Sequence, residues 1–421
     1  MTSLPAGWTV VPLDSLQASE PRAITDGPFG SNLTSAHYTD RGPRVVRLQN
    51  IGDGVFNDAK AHISQDHFET LRNHEVLPND LLIASLGETL PRGCLAPPSL
   101  GAAIVKADCI RVRLSPDVDP RWVMYSLQRP AVRQWAEHHR HGVGRPRLGL
   151  KVIRQIPVPL PPLGEQQRLV EILENHISRL DFVRSTCTAT IQRLTRLRQA
   201  ELNAKFGLND GDTVTLGDLV TGIQAGRSAG GSAPPAQENE WGIVKVSAMT
   251  WGEFRPQENK AVPKSLVNPD FEIMPGDLLV SRANTSEYVG APVLVGEVRR
   301  HLLLSDKSLR LQLRAEVDPE WLWRALQAPS ARRQISAAAT GTKDSMRNIS
   351  QKSLLSVRLP KAEPDVQRWL AKAYAERDLE IKRIEQAADS GRRRVAALRR
   401  AVLTAAYSGT LTDNIEELAG V

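Results

Sequence analysis

Pro159-Leu160-Pro161-Pro162-Leu163-Gly164-Glu165-Gln166-Gln167-Arg168 is the stretch on which the fold turns. Its prolines forbid helix up to Pro162, because the ring removes a donor and restricts the residue before it. From Leu163 the chain runs to Phe206 without another proline, and with no glycine beyond Gly164. Apolar residues recur in steps of four and three: Leu173, Ile177, Leu180, then Cys187, Ile191 and Leu194. That is a heptad seam, interrupted by Arg184 and Arg198. A helix of roughly 40 residues is about 60 Å long, more than one small domain needs. The stretch predicts a strut between two bodies.

The strut occurs twice. Pro360 precedes Asp365-Val366-Gln367-Arg368, and a second seam runs through Leu370, Tyr374, Ile381, Ile384, Ala388, Val395, Leu398 and Val402. Gly391 lies on it, as a weak point or a close helix contact. Both helices are expected to stop at a glycine, after Lys205-Phe206-Gly207 and Tyr407-Ser408-Gly409. Antiparallel pairing of the struts would bury both seams and set a globular body at each end.

The rest of the chain is also duplicated, at an offset of about 199 residues. Arg44-Val45-Val46-Arg47-Leu48 matches Gly242-Ile243-Val244-Lys245-Val246, and Pro78-Asn79-Asp80-Leu81-Leu82 matches Pro275-Gly276-Asp277-Leu278-Leu279. Val118-Asp119-Pro120-Arg121-Trp122 matches Val317-Asp318-Pro319-Glu320-Trp321. Each copy opens with short β-branched runs between Gly, Asn, Asp and Pro turns. A short helix with a buried tryptophan follows, then a basic glycine-containing loop, a strand and the strut. The expected fold is α+β: two pseudo-repeated globular domains with small mixed or barrel-like sheets, joined by two long helices in an antiparallel coiled coil. The expected boundaries are 1–162 and 208–360 for the globular domains, 163–207 for the central helix, and 361–421 for the second helix and tail.

Net charge is +7 over 421 residues, which permits a polyanionic partner. Three scattered cysteines, Cys94, Cys109 and Cys187, fit a reducing, cytoplasmic compartment rather than a disulfide framework. No basic and apolar leader opens Met1 to Pro12, and no uncharged apolar run approaches ~18 residues, so neither a signal peptide nor a membrane span is expected.

Catalytic strings fail on context. Gly226-Arg227-Ser228-Ala229-Gly230 has the form of a nucleophile elbow, but Pro234 and Pro235 follow where a helix is required. Gly142-Val143-Gly144 lacks the third glycine of a dinucleotide site, and Gly341-Thr342-Lys343 has the wrong spacing for a phosphate loop. Glu258-Asn259-Lys260 resembles a nuclease string without its upstream acid and reads as a solvated loop. His138-His139-Arg140-His141 lacks the cysteine pair that a zinc site would need. No catalytic or metal residue is expected. The candidate DNA contacts are glycine-rich or basic loops: Gly27, Gly30, Ser31 and Asn32 with Arg145 and Arg147 in the first copy, and Arg227, Ser228, Lys343 and Arg347 in the second.

The proline-to-Glu-Gln-Gln-Arg string, the paired long helices, the Asp26-Gly27-Pro28-Phe29-Gly30-Ser31 loop and the Pro78-Asn79-Asp80-Leu81-Leu82 strand together resemble the specificity subunit of type I restriction–modification enzymes. The resemblance covers essentially the whole chain. It implies two target-recognition domains, each reading one half of a split double-stranded DNA sequence. It implies spacer helices that dock two modification (methyltransferase) subunits, with Glu165, Gln166, Gln167 and Arg168 as the candidate docking turn, and restriction (motor–nuclease) subunits that join for cleavage. S-adenosylmethionine, ATP and Mg2+ would then belong to those partners. The rival reading is a non-catalytic coiled-coil scaffold that binds DNA without regard to sequence.

Overall fold

The structure is a computed structural model that describes residues 4–142, 144–208, 211–250, 252–343 and 346–411, without the side chains of 250, 342 and 343. The chain divides into two compact units, Met1–Cys187 with Ser390–Val421, and Thr188–Asp389. The first long helix is Leu163–Phe206 and the second is Pro364–Ser408, of 44 and 45 residues. Each unit therefore holds one part of both helices.

In unit 1 a four-stranded antiparallel sheet runs in the order Ile24–Asp26, Cys109–Val112, Leu81–Ala84, Arg92–Leu95. A mixed three-stranded sheet sets Tyr38–Val46 between antiparallel His62–Ile63 and parallel Ala103–Val105. Thr9–Pro12 pairs antiparallel with Pro157–Leu160, the strand that leads into the first long helix. Unit 2 repeats this plan. Its four strands are Val220–Ala225, Ser308–Leu313, Leu278–Ser281 and Pro292–Leu294. Its mixed sheet sets Gly242–Val244 between Asn259–Ala261 and Leu302–Leu303, and Thr213–Thr215 pairs with Arg358–Pro360. The sheets are small, mixed and open. The same strand orders in both units establish the duplication at the level of topology.

The strands Leu81–Ala84 and Leu278–Ser281 of the four-stranded sheets are short and wholly buried. One face packs on Pro120–Leu127 or Pro319–Gln327, helices that begin with proline at the first helical position and an aspartate cap. Trp122 and Trp321 are fully buried there. The cores also hold Cys94 and Cys109, whose thiols burial pushes up to about 12, so they pack as neutral apolar groups.

The long helices are part of these cores. Leu169, Val170, Leu173, Ile177 and Leu180 of the first helix join Val395, Val402, Leu403 and Tyr407 of the second in the main core of unit 1. Leu202, Phe206, Ala371 and Tyr374 do the same in unit 2. Pairing is antiparallel in each unit. In unit 1 Arg399 donates to Asp181 at 3.1 Å, and a Cβ on Gly391 would lie 3.1 Å from the Cys187 Sγ, so Gly391 marks a close helix contact. In unit 2 Arg198 donates to Asp378 at 2.8 Å and to Glu385 at 3.1 and 2.9 Å. Arg198 thus does not break the seam; it is answered across it. Ile384, expected on the seam, is instead exposed, on a stretch where polar partners replace apolar ones.

One pair of contacts fixes how each long helix starts. The Gln166 side chain accepts from the Asp119 amide at 3.0 Å and donates to the Pro161 carbonyl at 2.8 Å. Gln367 accepts from the Asp318 amide at 2.9 Å and donates to the Ala362 carbonyl at 2.8 Å. Both glutamines are buried, at 1% and 3% exposure. Replacing Gln367 by Ala would leave that buried amide and carbonyl without partners, at a cost of about 1–3 kcal/mol. Gln166→Ala and Gln367→Ala are each expected to lower the thermal midpoint by several degrees, while exposed Gln167→Ala leaves it unchanged; circular dichroism melts decide.

The ion cluster in unit 2 gives a pH prediction. Burial of Asp378 opposes its ionisation, yet hydrogen bonds and charge from Lys382 and Arg198 outweigh this and hold its carboxyl below its ordinary 3.8. The folded chain then binds fewer protons at this site than the unfolded one. The stabilisation is present above the unfolded value and is lost as pH falls below it. Stability measured by denaturant titration should drop as pH is lowered through that range, and Asp378→Asn should flatten this part of the profile.

Candidate nucleic-acid interface

In each unit the two predicted loops meet at one place, the turn that follows the parallel strand of the mixed sheet. In unit 1 this turn is Lys106–Asp108. Gly27 packs against it so closely that a Cβ would lie 2.1 Å from the Lys106 carbonyl carbon. Only glycine fits there. Arg147 approaches the same turn and forms an ion pair with Asp108. In unit 2 the turn is Leu304–Lys307. Gly226 takes the place of Gly27, with its Cβ position 2.1 Å from the Leu304 oxygen, and the Asp306 amide donates to the Arg227 carbonyl at 3.1 Å. The Arg282 amide donates to Lys307 at 2.8 Å, and Ile349 donates to Arg282 at 3.0 Å, which brings in the second loop.

The first loop of unit 1 is held open to solvent. Phe29 is 50% exposed, and Gly30, Ser31 and Asn32 are exposed in a short 3-10 turn, with Gly30 at φ 63°. Its shape is fixed from below, because the His67 ring bonds the Asn32 carbonyl at 2.9 Å and stacks on His37 at 4.2 Å. In unit 2 Arg227 and Ser228 are exposed, and the Arg227 guanidinium lies 5.6 Å above the Phe271 ring. No helix follows Ser228, as its proline context requires.

The second loop is a small hairpin in both units. His141 and Arg147 exchange backbone hydrogen bonds of 2.9 Å, and Arg147 bridges to Leu86. Gly142 and Gly144 turn the chain at φ 96° and 83°, which leaves Arg145 exposed near the tip. In unit 2 Thr340–Lys343 pairs with Met346–Asn348, which pairs with Ala283–Asn284. Arg347 donates to the Gly341 carbonyl at 3.1 Å. The side chain of Lys343 lies outside the described residues. His138 and His139 each bond the carbonyl one turn back, at 2.7 Å. Among the described residues no group of three His, Cys, Asp or Glu is placed to hold a metal ion.

The structure adds lysines that the loop motifs do not mark. Lys106 sits on the central turn of unit 1, and its Nζ donates to the Tyr38 hydroxyl at 3.2 Å. In unit 2 a cleft of about 400 Å³ is lined by Ser228, Gly230, Lys245, Lys260, Asp306 and Lys307. The Lys260 ammonium donates to the Gly231 carbonyl at 2.8 Å and to that of Ala229, which ties the loop down. The Glu258-Asn259-Lys260 string is therefore structural rather than a solvated loop. Asn259 is buried and spans the Ala236 amide and the Pro256 carbonyl at 2.9 and 2.7 Å. Lys106 and Lys307 both stand just before the strands that begin at Cys109 and Ser308, the signal by which a strand-by-strand comparison of the repeats finds them.

The expected docking turn divides in two. Gln167 and Arg168 face solvent. Glu165 accepts from the Trp8 indole at 3.3 Å, and the Gln166 amide is committed inside unit 1 at both ends. The Gln166 side chain is thereby not available to a partner, because both its polar ends serve buried backbone groups.

The family model for the type I restriction modification DNA specificity domain matches residues 102–193. That segment runs from the central turn of unit 1 through its basic hairpin into the first long helix. The EcoEI specificity subunit of Escherichia coli is 34% identical over 34% of this chain and 24% of its own length. The chain spans about a quarter of that relative in this match. The EcoKI specificity subunit of Escherichia coli strain K12 is 23% identical over 97% of this chain and 90% of that protein. Among solved structures, a chain from work on assembly and conformational transition of the type I R-M system covers 97% of this chain and all of its own, with a TM-score of 0.69 at 18% identity. The HsdS subunit from Thermoanaerobacter tengcongensis covers 97% of this chain and 98% of its own, with a TM-score of 0.51 at 19% identity. Residues 102–193 are thus similar to the specificity domain of type I restriction–modification systems, the chain is similar along most of its length to a specificity subunit, and the solved structure shares its fold.

Proposed function

We propose that the chain is the DNA-specificity subunit of a type I restriction–modification complex, and that each unit reads one half of a bipartite double-stranded target. The observation that carries this reading is the repeated convergence of two exposed loops on one turn, with the same close-approach glycine at Gly27 and Gly226. A rigid turn with exposed amides, arginines and lysines suits phosphate contacts and base edges. Two such surfaces in one chain suit a split target, and the long helices would set its spacer.

Catalysis belongs to the partners in this reading. Modification subunits would bring S-adenosylmethionine and flip the target base. Restriction subunits would bring ATP-driven motion and cleavage with Mg2+. This chain would position them, with Gln167 and Arg168 at the start of the first long helix as docking residues. A cytoplasmic location follows from the DNA substrate. Among the described residues no helix is long and apolar enough to cross a membrane.

Methylome sequencing of cells with and without the gene tests the whole reading. Loss of methylation at one bipartite motif is expected; an unchanged methylome, with the purified chain binding all duplexes alike, would leave a sequence-blind scaffold instead. Single replacements Arg145→Ala, Arg227→Ala and Arg347→Ala separate the contact types. A phosphate contact should weaken all sequences alike and reduce the salt slope by about one unit, whereas a base contact should cost about 1–3 kcal/mol at one base pair only. Fluorescence anisotropy titrations over a salt series make the distinction.

A further inference from the structure

Strand register aligns the two units residue by residue, and three aligned positions differ in charge. In unit 1 Arg44 pairs with His62, and Ala84 with Cys109. In unit 2 Gly242 pairs with Ala261, and Ser281 with Ser308. Counting along each strand, Lys245 corresponds to Arg47, Lys260 to Ala61 and Lys307 to Asp108. None of the three unit 1 positions holds a free cation. Arg47 turns its guanidinium to the Ala59 and Lys60 carbonyls at 3.3 and 3.1 Å. Ala61 is buried, and Asp108 is an acid paired with Arg147.

In unit 2 all three lysines line the cleft of about 400 Å³ that also takes in the loop from Ser228 to Gly231. Asp306 is the one carboxylate on its wall, so the balance of charge favours an anion. Lys260 is already committed to the Ala229 and Gly231 carbonyls. Lys245 is exposed and Lys307 partly so, and among the described residues neither makes an ion pair or a side-chain hydrogen bond. Among the described residues the amides of Ser228, Ala229, Gly230 and Gly231 donate to no backbone carbonyl, and Gly231 lies at φ 78°. Successive free amides around a left-handed glycine form a concavity suited to an anion.

We propose that this cleft seats a backbone phosphate of duplex DNA, with Lys245 and Lys307 as its charge contacts, and that unit 1 has no such seat at the corresponding positions. The proposal deepens the DNA reading above and rests on it. The source of the phosphate follows from position. The cleft begins at Ser228, beside the exposed Arg227 of the candidate loop, so it continues the surface assigned to the duplex. Lysine serves as a compact point charge, which suits a phosphate and carries no base preference. Lys260 is a positioning residue, because it holds two carbonyl oxygens of the loop that would otherwise be free to oppose the anion. The half-site read by unit 2 then carries two salt-dependent contacts that the half-site read by unit 1 lacks.

The test uses the full chain, a duplex bearing the motif found by methylome sequencing and an unrelated duplex. Anisotropy titrations over a salt series give the slope of log affinity against log salt. Lys245→Gln and Lys307→Gln should each reduce that slope by about one unit on both duplexes. Lys245→Arg and Lys307→Arg keep the charge and should keep the slope. Unchanged slopes in both glutamine variants, or an equal loss in the arginine variants, would overturn the proposal. Ethylation interference should show that the hindering phosphates lost in the glutamine variants lie in one half-site; losses in both halves would overturn the asymmetry. Calorimetric titration with sodium pyrophosphate separates the other source. Pyrophosphate binding that the glutamine variants abolish, with duplex slopes unchanged, would make the cleft a site for free phosphates and overturn its role on DNA. If the slopes fall as expected but no methylated motif depends on the gene, the recognition reading fails and the phosphate seat stands. If the motif depends on the gene and the slopes do not move, the reading stands and the seat fails.

Discussion

A buried primary amide has to satisfy a carbonyl oxygen and an N–H group at once, and two glutamines in this chain meet that demand between the same pair of elements. Gln166 and Gln367 join the capped start of a domain helix to the proline-rich approach of a long helix. The geometry leaves little freedom, because displacing either element would strand a buried donor or acceptor. Strand, cap and long helix therefore leave one junction in fixed directions. The sheets stack on the same domain helices through Trp122 and Trp321, and the first turns of the long helices complete the cores. The long helices are consequently integral parts of the units they leave.

Charge is divided between two tasks. Arg111 and Arg310 lie within the sheets and direct their guanidinium groups to backbone carbonyls, among them those of Glu75 and Asp270 at 3.1 and 3.3 Å. Arg332 is held by the Gly290 carbonyl at 2.7 Å, and burial lowers it to about 10. Such arginines hold loops in place and add nothing to an outer surface. Arg145 and Arg147 in unit 1 and Arg227 in unit 2 remain exposed on the candidate loops.

Much of this was written in local patterns, because proline, glycine and periodicity act locally. The proline run sets the start of the helix at Leu163, and the uninterrupted seam carries it to Phe206. The Asp-Pro-x-Trp repeats mark two capped helices with buried indoles. What stayed hidden depends on contacts far apart in the chain. Glu165 to Arg168 reads as one polar helix turn, and only the packed structure shows that its second residue faces inward. Arg198 looks like a fault in the seam until Asp378 and Glu385 stand opposite it. The loops around Gly27 and Arg147 are far apart in sequence, and nothing in either announces that both rest on Lys106–Asp108.

Unit 2 is contiguous, from Thr188 to Asp389, whereas unit 1 takes its closing segment from Ser390 onward. Tyr407 lies on Trp122 with ring centroids 4.0 Å apart and donates to its carbonyl, and Val402 and Leu403 are buried in the same core. During synthesis the first unit to emerge must therefore wait for the last helix. At about 5–20 residues per second the intervening stretch takes on the order of 10–40 s to translate. Through that interval unit 1 has its sheets but presents the groove for the second helix uncovered, while unit 2 already has all of its own chain. The order of completion on the ribosome is thus the reverse of the order in the gene, and the nascent groove of unit 1 is the surface most in need of a chaperone.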